Sequence, residues 1–557
     1  MADRVLPKRT TRLFAGGAVA IGTLVLMIAT EPRLAIVWDE GHSLSREARI
    51  RMWLHALADP PKFAASWNPP TLEMVPDQSR PPTATEIDSR SKLLSARNLH
   101  WFWPFAREEP HGHPPFYAIV GMLGDVFAPS WSDLPKARLG PIIVFSLTAG
   151  AIFSAFFRRG GIWPATAAAG AWVFQPQLFA LGHYAGYDAI LSALWVGAIL
   201  AFARAVESEN RWPGTILFGM LAGWAADTKL TGWFVPFPFI AWTLLARSRR
   251  GFWTLFVGGM VAVLTLYVFN PAWWADPVGG LNRFFASNLS RAKTVPIPIM
   301  FLGEIYQSPA ESLPWFNTLV WTVIAAPVGF LLLAIMGVFR AIKERKSSDP
   351  LAVLVLFHWA FLLILRALPH TPGHDGVRQI LPAFGCLALA SGVGATIQSR
   401  WMKALIVAAI LEGAISIAVM MPVPLSYFSP IVGGLPGASK IGMEPTYFWD
   451  ALTQDAWDQL AAKTPKDQTV AFATFPMSWL HLKRLGTMRV AVYKFEPGPP
   501  AWYIVQNRPG QLHPVDKRLI KRMGPKCVLV SKLGVPLIWA FPGGEYLNEM
   551  KPARGQP

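Results

Sequence analysis

The chain has 557 residues, 52% of them hydrophobic and 15% charged, with a mean hydropathy of +0.33. A soluble protein carries roughly 25% charged residues, so this composition, with its 25 Trp and 35 Phe, excludes an ordinary soluble enzyme and points to many membrane spans. The net charge of +17 does not mark a nucleic-acid binder, because the basic residues sit in short clusters between apolar runs, as in cytoplasmic loops.

In chain order, the N-terminal stretch has a basic head and an apolar run with no small-x-small cleavage site behind it, and reads as an uncleaved first span. A span needs roughly 20 mainly apolar residues. Candidates lie near 13–31, 138–157, 162–181, 186–205, 213–227, 231–247, 252–270, 315–339, 351–368, 379–398 and 403–421, which makes about eleven helices. If these alternate, Lys8/Arg9/Arg12, Arg158/Arg159, Arg204/Arg211, Arg247/Arg249/Arg250, Arg340/Lys343/Arg345/Lys346 and Arg400/Lys403 share one side. The positive-inside rule makes that side the cytoplasm. The other side receives a first external loop at 32–137, a second at 271–314, a short turn at 367–379 and the tail.

The fold expected is therefore a polytopic α-helical membrane module, residues 1–421, followed by a small extracytoplasmic α/β domain, residues 422–557. Within the first loop, Ile50, Trp53, Leu54 and Leu57 share a helical face that Arg46, Arg49 and Arg51 avoid, the pattern of a helix lying in the interface. Residues 113–127 are too short to span and read as a second interfacial helix. In the tail, 468–475, 501–508 and 526–541 read as strands and 447–463 as a helix. Cys386 and Cys527 give neither a disulfide framework nor a thiolate metal site.

Polar residues collect at span ends on the external face: Asp39, Glu40, His42, His113, Arg138, His183, Asp188, Lys229, Glu304, His370, His374, Asp375 and Arg378. Ionisable groups at membrane depth mark function by default. Each also has a plainer explanation. Asp39 could cap a helix beginning near Ser43; Glu40 beside it is not needed for a cap, and a carboxylate there could take a proton from an incoming hydroxyl. In "GHPPFY" (112–117) the prolines suit a helix start, which leaves His113 unexplained. His183 could anchor at the interface, with Asp188 a buried acid in the next span. Lys229 in "DTKLTGW" could snorkel, yet an external Lys adds nothing to the positive-inside bias and suits a phosphate. "PHTPGHDGVRQ" (369–379) is the densest cluster; its H-x3-H-D spacing would allow a divalent metal, and Arg378 can clamp a phosphate bidentately.

Together, the "DE" after the first span, "HPPFY", "ARLG", "TKLTG", "NPAWWADP" and "HDGVRQILPAF" resemble the GT-C superfamily of polytopic glycosyltransferases, in the group of protein O-mannosyltransferases and lipid A aminoarabinose transferases. The resemblance covers roughly residues 10–400, and the 427–452 stretch with the α/β tail resembles a bacterial branch of the group. It implies a sugar carried on a polyprenyl phosphate and transferred, with inversion, to a protein, lipid or glycan hydroxyl outside the cytoplasmic membrane. Asp39 would inherit the role of base with Glu40 as its neighbour, Arg138 and Lys229 would face the lipid phosphate, and His113 would shape the site. His374, Asp375 and Arg378 would line the donor pocket, alongside His42, His183 and Asp188. The tail lacks a β-trefoil pattern, so acceptor identity does not carry over. Two other classes fit parts of the sequence. A transporter or flippase would also bury charges, but has little use for a long external loop and a soluble tail. A scaffold would leave the His, Asp and Arg cluster without a purpose.

Overall fold

The computed structural model describes residues 9–69, 80–103, 113–290, 296–343, 349–397, 399–476 and 478–550. Among these, seven helices are long and apolar enough to cross a membrane: Thr10–Arg33, Asp133–Gly160, Asp188–Glu207, Arg249–Phe269, Pro350–Ala367, Gly376–Gly394 and Arg400–Met420. They fall on seven of the eleven expected spans. The other four are helical but shorter. Trp212–Ala226 has 15 residues and Pro236–Leu245 has 10. The 162–181 stretch divides into Ile162–Val173 and Pro176–His183, and the 315–339 stretch into Asn317–Ala325 and Val328–Lys343. Proline explains both divisions: Pro176 and Pro327 lack the amide that would continue the preceding helix.

Glycine lets the long helices approach closely, which is how apolar helices associate without water to drive them. A side chain at Gly16 would stand 1.9 Å from Ser154 Oγ, where the first helix crosses Asp133–Gly160. One at Gly337 would stand 2.0 Å from the Ala390 carbonyl oxygen. The basic clusters meet at one end of the bundle. Arg158 and Arg159 both pair closely with Glu207, Arg250 reaches the Val206 carbonyl at 3.3 Å, and Arg340 bonds Thr396. Arg138 lies at the opposite end of its helix from Arg158, roughly 30 Å away at 1.5 Å per residue.

The external elements differ from expectation in detail. The first-loop helix begins at Trp38 and runs to Ala58, so Asp39 lies in its first turn and is not its cap. Glu40 does the capping: its Oε2 accepts the Val37 amide at 2.9 Å. This helix does not lie with its arginines in water. Arg46 bonds the Tyr117 hydroxyl and Arg49 reaches the Trp101 carbonyl at 2.9 Å, both buried, whereas Leu54 is exposed. The 113–127 stretch is two short helices, Phe116–Gly121 and Leu123–Phe127. The second loop holds helix Pro277–Leu289 and an antiparallel hairpin of β1 (Ile297–Phe301) and β2 (Glu304–Ser308).

The tail forms a five-stranded sheet, β3 (Thr469–Phe472), β4 (Ala491–Val492), β5 (Pro500–Gln506), β6 (Val528–Lys532) and β7 (Val535–Pro542), in the order β4-β3-β5-β7-β6. The expected single strand at 526–541 is the β6–β7 hairpin, turning at Leu533 and Gly534, both with positive φ. Strand alternation divides the sheet. Val470, Ile504 and Ile538 join the main core, while Ala471, Tyr503, Val505 and Phe541 form a second apolar cluster with Val515 and Leu519 of helix Pro514–Met523. The expected helix at 447–463 exists only as Gln454–Lys463. Before it, Tyr447, Phe448 and Trp449 are buried, and Phe448 and Trp449 adopt φ of 58° and 64°, which no helix accommodates. Tyr447 and Phe448 turn toward the membrane module while Trp449 packs on Phe472 of β3, and the Trp38 amide bonds the Phe448 carbonyl at 2.9 Å.

Candidate active site

Five segments meet in one place. Asp39 comes from the first-loop helix, and Tyr187 and Asp188 from the start of a span. Lys229 lies between two short helices, Asp375 and Arg378 at the start of span Gly376–Gly394, and Phe448 in the tail. Arg378 is the hub. Its Nε donates to Asp188 Oδ2 at 2.6 Å, its Nη1 to Asp375 Oδ2 at 3.3 Å, and its Nη2 to Asp39 Oδ2 and the Tyr187 hydroxyl. The guanidinium lies over the Phe448 ring at 4.5 Å and the Tyr187 ring at 5.0 Å. Lys229 Nζ donates to Asp188 Oδ1 at 2.7 Å and to Gln379 Oε1 at 3.4 Å, and sits 4.9 Å from the centre of the Tyr187 ring. Asp188 therefore holds both cations, one on each oxygen.

Asp39 differs from the other acids. Its side chain is 27% exposed, against 8% for Asp188 and Asp375. The Tyr187 hydroxyl at 2.9 Å and Arg378 both bond Oδ2, so Oδ1 takes part in neither contact. Burial pushes this carboxyl up, but Arg378, His42 and the Tyr187 hydroxyl outweigh it and hold the group below the usual carboxylate range. Burial brings the Lys229 ammonium down to about 8, against the pull of Asp188. His42, one turn after Asp39, is brought to about 4 by burial and by Arg46. It is neutral beside the acid at ordinary pH. The His113 ring packs on Tyr187, centroids 3.9 Å apart, and so touches the cluster through its tyrosine. His374 is buried, 3.8 Å from Asp375 Oδ2 and 3.3 Å from Gln379 Nε2.

Three expected residues stand elsewhere. Arg138 is buried, and all five of its N–H groups have acceptors. Nε and Nη2 clasp Glu40 at 2.7 Å each, Nη1 takes Glu31 at 2.9 Å and the Leu34 carbonyl at 3.4 Å, and Nη2 also takes the Ala35 carbonyl at 2.7 Å. No N–H of Arg138 is left for a lipid phosphate. Glu40 is equally committed: besides Arg138 it accepts the amides of Val37 and Ala185, each at 2.9 Å. The pair fixes the first-loop helix to the spans. His183 is fully buried; its Nδ1 lies 2.7 Å from the Phe179 carbonyl and its Nε2 within 3.1 Å of Met27 O and Thr30 Oγ1. It ties two helices together and does not line the site.

The H-x3-H-D spacing does not make a metal site. His370 is exposed and its Nδ1 lies 3.1 Å from the Ala310 carbonyl, apart from His374 and Asp375. Among the described residues no group of three or more His, Cys, Asp or Glu side chains could hold a metal ion. Glu304 is exposed on β2.

Tyr187, Phe448, Gln379 and Arg508 belong to the cluster and were not singled out from the sequence. Tyr187 had a signal, since it immediately precedes Asp188. Phe448 and Arg508 had none, because nothing in a distant tail announces that it returns to the site. A crevice of about 30 Å³ opens beside Asp39, lined among others by Gly186, Tyr187, Arg378 and Phe448. Beyond the Arg138–Glu40 pair lies a larger cavity of about 590 Å³, between Arg33, Pro135, Met421 and Asp455. Glu40 lines the first space and Arg138 the second, so their ion pair is the partition.

Residues 113–274 match the sequence profile of the family of dolichyl-phosphate-mannose-protein mannosyltransferases. No curated protein matches the sequence of the chain. Among solved structures, the chain is similar to ArnT from Cupriavidus metallidurans bound to undecaprenyl phosphate, at 14% identity over 98% of this chain and 100% of that one, with a TM-score of 0.48. It is also similar to the archaeal oligosaccharyltransferase AglB from Archaeoglobus fulgidus in complex with an inhibitory peptide and a dolichol-phosphate, at 12% identity over 87% and 69% of the two chains, TM-score 0.45. The matched segment carries His113, Arg138, His183, Asp188 and Lys229, and through it the chain resembles the protein mannosyltransferase and ArnT group of GT-C glycosyltransferases.

Proposed function

We propose that this protein is a multi-pass glycosyltransferase that moves a sugar from a polyprenyl-phosphate donor to a hydroxyl of a protein, lipid or glycan acceptor, with inversion. The basic clusters at the far end of the bundle favour a site on the outer face of a bacterial cytoplasmic membrane. The observation that carries the reading is the meeting of Asp39, Lys229 and Arg378 from three distant segments around Asp188 and Tyr187, with Asp39 and Arg378 lining the crevice.

Asp39 Oδ1 takes the proton as the acceptor oxygen attacks the sugar C1. The C1–O bond to the carrier breaks, and the phosphate leaves with the electron pair. Lys229 and Arg378 are already fixed where that charge gathers, so little reorganisation remains for the moment of reaction. Asp188 keeps both cations in place, and Tyr187 spaces Asp39 from Lys229. The donor must widen the crevice, because about 30 Å³ is the space of a single water.

The test is transfer by Asp39→Asn in membranes supplied with a polyprenyl-phosphate sugar. Loss of a general base costs about 10²- to 10⁴-fold in rate, with binding of polyprenyl phosphate kept. Full transfer by the variant removes Asp39 from the mechanism.

A further inference from the structure

The cluster around Arg378 holds more acid than its own cations balance. Asp39, Asp188 and Asp375 all bond Arg378, and Lys229 is the second cation. Three carboxylates against two cations leave one negative charge in a poorly solvated pocket, a costly arrangement. A third cation comes from the tail. Arg508, just beyond β5, donates from Nη2 to Asp375 Oδ1 at 3.1 Å, while the other Asp375 oxygen takes Arg378 at 3.3 Å. Asp375 is thus held between two guanidiniums, at a φ of 66°. Arg508 is buried, lies over the Tyr447 ring at 5.6 Å, and sits 3.4 Å from Glu444 Oε2. Burial pushes the Glu444 carboxyl up, which weakens its claim on the guanidinium.

We infer that Arg508 is a positioning residue of the transfer site: by holding Asp375 it keeps Arg378 turned toward Asp39. The inference rests on the reading of Asp39 as the base. Without Arg508, Asp375 draws on Arg378 in competition with Asp39. Asp39 then loses part of the attraction that opposes its burial, and a higher pH is needed to keep it charged. The groups facing Asp39 are Arg378, Tyr187, His42 and Asp375; those facing Asp375 are the two arginines, His374 and Glu444. His42 is the histidine beside the base, so its titration is separated by His42→Gln.

The experiment measures release of polyprenyl phosphate from polyprenyl-phosphate mannose and polyprenyl-phosphate aminoarabinose by the full-length protein in nanodiscs, across pH. Arg508→Gln should lower kcat about tenfold or more and move the acidic limb upward by about half a pH unit or more, with donor KM changed less than threefold. Arg508→Lys should restore part of both effects, and Arg508→Gln should move the limb by the same amount in a His42→Gln background, where the limb starts higher because His42 no longer helps to keep Asp39 charged. Arg518→Ala, which removes an exposed pair with Glu549 on the tail, should behave as wild type and controls for tail damage. An Arg508→Gln enzyme with wild-type kcat and acidic limb overturns the positioning role, as does a loss that merely tracks the fraction of unfolded protein. Full activity of Asp39→Asn overturns the base itself, a separate outcome.

Discussion

At the residue scale, adjacent acids at the end of the first span have opposite duties. Glu40 spends both oxygens on Arg138 and two backbone amides, whereas Asp39 keeps Oδ1 clear of its two partners. Breaking a buried ion pair by removing one partner costs roughly 3–5 kcal/mol, so Glu40→Gln and Arg138→Met should each lower the thermal midpoint of detergent-purified protein while leaving the KM of the remaining folded enzyme near wild type. A large rise in donor KM for Arg138→Met at unchanged stability would return Arg138 to the phosphate. The pH profile follows from the two groups flanking Tyr187. Asp39 is charged from below the usual carboxylate range, and Lys229 keeps its charge until about pH 8. kcat/KM should therefore fall as pH rises through about 8, and Lys229→Arg should move that alkaline limb upward. An alkaline limb unmoved in Lys229→Arg assigns it to another group. The "DE" motif and Lys229 were legible as chemistry because charge at a span end is unusual. Which acid caps and which stays available was not legible, because both choices fit the same two letters; only the Val37 and Ala185 amides decide it.

At the scale of elements, the span pattern was readable because apolar length is a strong signal, and seven expected spans are long single helices. The four that shorten or divide do so near prolines or at turns whose position hydropathy averages away. Turns hold the site: 184–187, 227–229 and 375–378 each join helices at the same end of the bundle. Gly186 is where such a turn meets the crevice, and an added side chain there finds no atom within 4 Å. Gly186→Leu should consequently fold normally and fill the crevice, raising donor KM by about tenfold or more. Wild-type KM in a stable Gly186→Leu protein would mean that the donor enters by another path.

At the scale of the molecule, composition alone separated membrane module from tail, but not their partnership. Tyr447, Phe448 and Arg508 bind the tail to the site, and Lys532 Nζ reaches the Met421 carbonyl at 2.8 Å. A chain ending near residue 421 should then lose polyprenyl-phosphate binding as well as turnover, because Phe448 and Arg508 leave with it; binding retained at wild-type strength would make the tail an appendage. The two spaces on either side of the Arg138–Glu40 partition give the whole account its most direct check. A cryo-EM structure of the Asp39→Asn protein loaded with a polyprenyl-phosphate sugar should show the phosphate within hydrogen-bond reach of Lys229 Nζ and the Arg378 guanidinium, with the sugar C1 turned toward residue 39. Phosphate density in the cavity beside Arg33, with Lys229 and Arg378 still closed on Asp188, would contradict it.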